Sequence, residues 1–325
     1  MSKPILVTGA TGNQGGAVLE ALLKRHDLGF VFLALTRDDT SPAAKRISAK
    51  LGSVRTLQGD MNNPEKIFSD AHEMVGAPIW GVFMVQVCSF FVLAVHYSHL
   101  LFQSVIAGGV TAAQEETQGK GFIDACIKNN VRSFVYSSVD RGGDVRSPQD
   151  PTPVSVFASK HRIEQHLFDE ADKTNMSWFV LRPTGLIEPT IRNDFFSKIG
   201  RTSWKIYMEP ERPLHWVSCK DVGHFAAEGL LHPEQWSRKC LSLAGWEGTY
   251  MEANAINKRV TGQDFQLTFG LAARFICGII VKDLSLSYKW CNEKGFGADI
   301  GHLRELHPGL LTLEDCLREQ AEKAG

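Results

Sequence analysis

Pro4-Ile5-Leu6-Val7-Thr8-Gly9 is a short apolar run closed by glycine, and Ala17 to Lys24 then repeats its apolar residues at helical spacing. Between this predicted strand and helix stands Gly9-Ala10-Thr11-Gly12-Asn13-Gln14-Gly15, a G-x-x-G-x-x-G turn. Glycine serves such a turn where φ is positive, where backbone must approach a pyrophosphate, and where the helix closes on the sheet. The N–H groups and the positive end of the helix dipole then hold phosphate. Three glycines alone suit any tight turn. Their place between strand and helix favours a dinucleotide site. The expected fold is α/β: a Rossmann-type doubly wound parallel sheet with a smaller α+β C-terminal cap.

The second strand, Phe30 to Thr36, ends at Arg37, about 20 residues beyond the turn, where such a fold meets the adenosine ribose. An acid there accepts from the 2′-hydroxyl of NAD, whereas arginine pairs with the 2′-phosphate of NADP. Arg37 therefore points to NADP(H), with Asp38 keeping NAD(H) open; the bland alternative is a solvated arginine at a strand end. Val54 to Asp60 reads as the third strand, and Asp60 either accepts from the adenine amino group or caps the turn before Asn62-Asn63-Pro64. Ile79 to Gln86, Val131 to Val139 and Trp178 to Pro183 read as the next three strands. Ser137 and Ser138 then fall at the ligand-binding edge.

Thirty-five Lys and Arg against 36 Asp and Glu give a formal charge of −1, and no basic cluster marks a nucleic-acid face, so direct nucleic-acid binding is not expected. The seven cysteines stand singly without a C-x-x-C pair, which fits reduced thiols. No secretory pattern precedes Ile5, so a cytoplasmic protein is expected, with the nucleus also open to it. His224, Glu228 and His232 recur every four residues, but no third protein ligand accompanies them and no metal is expected. Asp221 reads as the cap of the helix over Val222 to Leu231, and Thr312 to Asp315 has the spacing of a capping box opening the last helix, with Glu319 and Lys323 a surface pair. Trp204, Tyr207, Trp216, Trp236 and Trp246 serve either a planar substrate or core packing.

Met74 to Gln114 contains no Asp, Glu, Lys or Arg, a run of 41 residues. A bilayer crossing needs roughly 20 apolar residues, but Gln86, Ser89, His96, Ser98 and His99 interrupt this run, and no membrane span is expected. Residues 87–103 form an atypical insertion. Val87-Cys88 can be encoded GTNTGY, Tyr97-Ser98-His99 can contain CTCAC, and Phe102-Gln103 can end in TTYCAG: a donor, a branch point and an acceptor in order. The expectation is an intron of 51 nucleotides translated in frame, with Gln86 joining Ser104 in the spliced product. A genuine apolar loop packed on a partner or cleft is the alternative.

Thr8 to Gly16, Gln58-Gly59-Asp60, Tyr136 to Gly143, Phe157-Ala158-Ser159-Lys160 and Leu181-Arg182-Pro183 together resemble the NmrA-like branch of the atypical short-chain dehydrogenases. Trp216 to Gly223 and Leu310 to Asp315 are similar to landmarks of the same family. The resemblance implies a nicotinamide dinucleotide site, usually preferring NADP(H), on a Rossmann domain over 1–190 with a substrate or partner cap over 191–325, interleaved with it. It also implies cofactor contacts at Gly9, Thr11, Gly12, Asn13, Gln14, Gly15, Arg37, Asp60, Met61 and Lys160, and places Ile187 and Glu188 near the nicotinamide. Lys160 is the catalytic candidate. The family's Tyr-x-x-x-Lys pair, in which lysine lowers the tyrosine pKa for proton exchange, is broken here by Val156. The expected activity is reduction of a small carbonyl or quinone-like metabolite. The alternative is a non-catalytic redox sensor or transcriptional co-regulator acting on a protein partner. The sequence leaves oligomeric state open.

Overall fold

The computed structural model describes residues 3–25, 29–50, 54–86, 111–268, 270 and 282–324. The 87–103 insertion, and with it the expected junction of Gln86 to Ser104, lies outside the described residues. Strand β1 (Lys3–Val7) leads through the glycine turn into α1 (Asn13–Lys24), and β2 (Phe30–Thr36), α2 (Pro42–Lys50), β3 (Val54–Gln58), α3 (Pro64–Val75) and β4 (Gly81–Met84) continue the alternation. Next come α4 (Ala112–Lys128), β5 (Ser133–Ser137), α5 (Gly143–Arg146), α6 (Ser155–Ala171) and β6 (Ser177–Pro183). Beyond them lie β7 (Gly185–Leu186), α7 (Ile187–Ile191), α8 (Phe195–Tyr207), β8 (Leu214–Val217), α9 (Cys219–Leu231), α10 (Pro233–Trp236), β9 (Lys239–Leu243), β10 (Trp246–Gly248) and α11 (Tyr250–Thr261). The described chain closes with α12 (Lys282–Glu293), α13 (Ile300–Leu306) and α14 (Leu313–Ala324).

Among the described residues the main sheet runs β3-β2-β1-β4-β5-β6-β9 and all its pairings are parallel. The order reverses between β1 and β4, the switch point at which open α/β sheets leave a crevice beyond their carboxyl ends. The sheet is buried on both faces. Ile5, Val7, Phe83 and Val135 meet α1 and α9 through Val18, Leu19, Leu22 and Phe225, while Leu6, Val82, Phe134 and Val180 meet α3, α4 and α6 through Phe68, Phe122, Ile163 and Leu167. This alternation of facing residues explains why the strands read as continuous apolar runs.

A smaller sheet, β10-β8-β7, lies in the cap with α8, α11, α12 and α14. Helix α9 and strand β9, both beyond residue 190, belong to the main sheet's layers, so the later chain contributes to both units. Trp204 packs on Trp216 with ring centroids 4.7 Å apart and edge-on to Tyr250, and Trp236 lies against Phe179. Trp204 is core, and Trp216 and Trp236 are partly buried against it and against the main sheet's core. Helix α4 starts at Ala112, because Thr111 and Gln114 cap one another reciprocally just ahead of it.

One cap and one surface pair differ from expectation. Helix α9 is capped by Ser218, whose hydroxyl accepts from Lys220 N, and Asp221 sits inside its first turn. Glu319 pairs with Lys220 across the cap rather than with Lys323. Thr312 and Asp315 do form a reciprocal cap for α14. Among the described residues no helix is long and apolar enough to cross a membrane, and no group of three or more His, Cys, Asp or Glu is placed to hold a metal. His224 stacks on His307 at 3.7 Å between centroids, and Glu228 pairs with Arg25.

Candidate functional site

At the switch point, Thr8 follows β1 directly, its hydroxyl donating to Val85 O (2.9 Å) and accepting from Val85 N (2.8 Å), which locks the ends of β1 and β4 together. Gly9 follows with φ +57°, a conformation that a side chain strains, and a Cβ there would strike Val85 Cγ1 at 2.7 Å. A Cβ on Gly15 would lie 2.6 Å from the Gly9 carbonyl carbon, so α1 can close on the turn only with glycine at this place. Gly12 is the N-cap of α1 and supplies no side-chain acceptor. The helix therefore presents its first donors to the crevice without a protein cap.

A continuous cleft passes over this turn. One part, about 250 Å³, is bounded by Gly9, Thr11, Gly12, Arg37, Asp60 and Met61. The other, about 450 Å³, is bounded by Asn13, Gln14, Gly15, Val156, Phe157 and Lys160, with Pro183, Thr184 and Leu186 beyond. Gly9, Gly12, Val85 and Gln86 border both. Ten of the sequence-derived cofactor positions are thus brought to one cleft.

Asp60 is exposed and its Oδ1 accepts from Asn62 N and Nδ2, both at 2.9 Å, so it shapes the turn at the mouth of the smaller part. Asp38 is turned into its own loop: Oδ1 accepts from Thr40 N (2.9 Å) and Oγ1 (2.6 Å), and these bonds hold its carboxyl below the usual range. Gln14 Oε1 accepts from Ser137 Oγ at 2.6 Å, tying α1 to the end of β5. Ser138 borders the larger part and donates to Glu164, which also takes Arg141 and Arg182, each at 2.8 Å, in a wholly buried cluster. The two guanidiniums outweigh the burial penalty and hold the Glu164 carboxyl below its ordinary value.

Ile187 and Glu188 lie elsewhere. Ile187 is fully buried in the cap core, and Glu188 accepts from Ser218 Oγ (2.6 Å) and Cys219 N (2.9 Å), serving the start of α9. The donors at that helix start attract the carboxylate away from the cleft. Leu186, one residue earlier, is the cap residue that borders the cleft.

Lys160 is the sole ionisable residue among those lining the larger part. Its Nζ donates to Glu115 Oε1 at 2.8 Å, and Glu115 Oε2 accepts from Ser159 Oγ at 2.5 Å. Glu115 is the functional neighbour that the sequence reading missed. Its one signal was position: it is the acid that ends the charge-free run. Gln86 was missed as well. Its Nε2 donates to Glu115 O (2.8 Å) and Gln118 Oε1 (3.2 Å), while its buried Oε1 has no hydrogen-bond partner among the described residues. An orphaned acceptor at the waist of the cleft and a glycine cradle that any Cβ would fill both suit a bound dinucleotide. Val156 is buried in the wall where a phenol would stand in Tyr-x-x-x-Lys. Phe157 packs edge-on to Trp290, ring centroids 5.6 Å apart, which fixes the wall beside Lys160.

The same architecture is found in known proteins. The structure of an Escherichia coli NADPH-dependent quinone oxidoreductase complexed with NADPH superposes with TM-score 0.67 at 17% identity, covering 97% of this chain and 99% of that one. The structure of NmrA, a negative transcriptional regulator, in complex with NAD gives TM-score 0.65 at 15% identity over 99% and 97%. At the sequence level, the NmrA-like family domain-containing oxidoreductase notA of Aspergillus sp. (strain MF297-2) is 27% identical, covering 81% of this chain and 75% of that protein. The model of the NmrA-like family matches residues 1–323. By its glycine turn, its doubly wound sheet and this end-to-end match, the chain belongs to the NmrA-like family.

Proposed function

We propose that this protein binds NADP(H) and reduces a small carbonyl or quinone-like metabolite without a catalytic tyrosine. The observation that carries the reading is the lone Lys160 ammonium in an otherwise uncharged cavity of about 450 Å³, next to the glycine cradle. The solved relative named as a quinone oxidoreductase holds NADPH, and notA is named an oxidoreductase, which supports the same class.

Gly9, Thr11, Gly12, Asn13, Gln14 and Gly15 hold the diphosphate through backbone donors and the helix dipole. Arg37 meets the 2′-phosphate, a role that Asp38, engaged by Thr40, does not oppose. Asp60 and Met61 border the adenine. When bound, reduced nicotinamide supplies a hydride, and the protein's share is orientation and a dry pocket. An ammonium has three donors, and Lys160 gives one to Glu115. The remaining two serve the ribose hydroxyls or the oxygen of a substrate as it gains negative charge. Val156, Phe157, Val139 and Leu186 exclude water around that oxygen.

A second reading, a redox sensor acting on a regulatory protein, is favoured by Val156 in the phenol's place and by likeness to a transcriptional regulator that holds NAD. One experiment separates them. Calorimetric titration with NADP+, NADPH, NAD+ and NADH is followed by NADPH oxidation against quinones and aldehydes, for the wild type and Lys160→Ala. Turnover lost in the variant supports the enzyme; tight binding with no turnover on any substrate supports the sensor. No binding of any of the four nucleotides removes both.

A further inference from the structure

Away from the cleft, α7, α8, α11 and α14 border a second cavity of about 480 Å³, the size of a small-ligand site. Ile191, Val260, Phe265 and Leu317 give it apolar walls, and Arg201 forms part of its lining. Arg201 is only 2% exposed. Its Nη1 donates to Thr190 O (2.5 Å) and Arg192 O (2.6 Å), and its Nε and Nη2 donate to Gln266 O (3.3 and 2.9 Å). The Phe265 ring lies 5.1 Å from the guanidinium carbon.

The charge itself has no carboxylate within ion-pair distance among the described residues. The acids nearby are committed: Asp194 to Arg192 (3.1 Å) and the start of α8, and Asp264, also in the lining, to Lys258 (3.3 Å) and Asn254 (2.8 Å). The contrast is with Arg141 and Arg182, which are equally buried and share Glu164. Among the described residues, carbonyls satisfy four of Arg201's five N–H groups and leave one on Nη2. A buried cation without a counter-ion is costly, and an anion entering beside it recovers that cost.

We infer that this cavity binds a small organic acid, its carboxylate toward Arg201 and its apolar body along Phe265, Val260 and Leu317. The site is separate from the dinucleotide cleft and stands whether or not the cleft has the proposed activity.

The test is titration of the full chain with benzoate and hexanoate, each beside its neutral primary amide. Both acids are expected to bind at least tenfold more tightly than their amides. Ala321→Trp, an exposed position on the cavity rim, is expected to keep the wild-type melting temperature and weaken both acids at least tenfold. Arg201→Met should abolish the preference for acid over amide, with circular dichroism checking that it folds. Equal affinity for acid and amide, acid binding undiminished in folded Ala321→Trp, or no binding of either acid at millimolar concentration overturns the inference.

Discussion

Lys160 Nζ and Glu115 Oε1 are 2.8 Å apart, and the Glu115 carboxylate is wholly buried between α4 and α6. Removing one member of a buried pair strands the other's charge, at about 3 kcal/mol or more. Glu115→Gln keeps the shape and the Ser159 contact but not the charge. Urea unfolding should show a loss of about 3 kcal/mol, and nicotinamide nucleotide affinity should fall because Lys160 is no longer held at the wall. Unchanged stability and affinity would mean that the pair neither supports the fold nor positions the lysine.

Gly15→Ala tests the cradle. The added methyl meets the backbone of Gly9 and Ala10, which cannot move aside as a side chain can. Overpacking of this kind costs about 1–3 kcal/mol, and any relief opens the turn that faces the diphosphate. Calorimetry should show NADPH affinity reduced at least tenfold in a protein that still melts cooperatively. A variant that binds NADPH like the wild type would show that the turn does not hold phosphate.

Arg37→Ala should separate the two nucleotides. A charge-assisted hydrogen bond is worth about 1.5–3 kcal/mol, so NADPH affinity should drop roughly tenfold to a hundredfold while NADH affinity stays put. Equal losses for both would move Arg37 from the 2′-phosphate to a general role at the mouth of the cleft.

The glycine turn and the sheet were legible because both obey local rules: strand periodicity, and the need for glycine where backbone meets backbone. Lys160 could be placed from Phe157 to Lys160 as a motif. Glu115 could not, because its burial depends on α4 meeting α6, and the partner that neutralises it lies 45 positions along the chain. Glu188 was placed by resemblance, and the N-terminal donors of α9 hold it elsewhere. The start of α9 was misread in the same way: Asp221 was taken for its cap, whereas Ser218 caps it and Asp221 is taken by Leu311 N from the chain entering α14.

Asp221 gives the protein a pH dependence. Its Oδ2 accepts from Leu311 N at 3.1 Å, and Oδ1 lies 3.5 Å from His307 Nε2. Burial lifts the carboxyl to about 7, with Glu188 and Asp315 adding repulsion against the opposing Lys220 and the Leu311 bond. Burial also lowers His307, so it supplies little counter-charge at neutral pH. A carboxyl raised in the folded state stabilises fully below its unfolded value of 3.8, and that stabilisation is lost as pH rises through about 7. His224, lowered to about 4 by burial, works in the opposite sense over acidic pH but is common to wild type and variant. Asp221→Asn should therefore gain on the wild type by up to about 4 kcal/mol between acidic and neutral pH. Chemical denaturation across that range checks it, and a difference that stays flat with pH would remove Asp221 as the titrating group.

Residues 87–103 should be dispensable to folding and to nucleotide binding. Gln86, one residue before them, reaches α4 directly, with Nε2 2.8 Å from Glu115 O, so the end of β4 already touches the first turn of the next helix. Joining Gln86 to Ser104 leaves seven residues, Ser104 to Val110, before Thr111. Extended chain covers about 3.3–3.6 Å per residue, so seven reach roughly 23 Å, ample for ends already in contact. Closing a flexible chain of seven residues costs about 1 kcal/mol less entropy than closing one of 24. The deletion variant should fold with stability equal to the full chain or about 1 kcal/mol above it, and should bind nicotinamide nucleotides with the same affinity. Sequencing of the mature transcript should find the 51 nucleotides removed. A functional message that keeps those codons, or a deletion variant that fails to fold, would make the segment a genuine part of the protein.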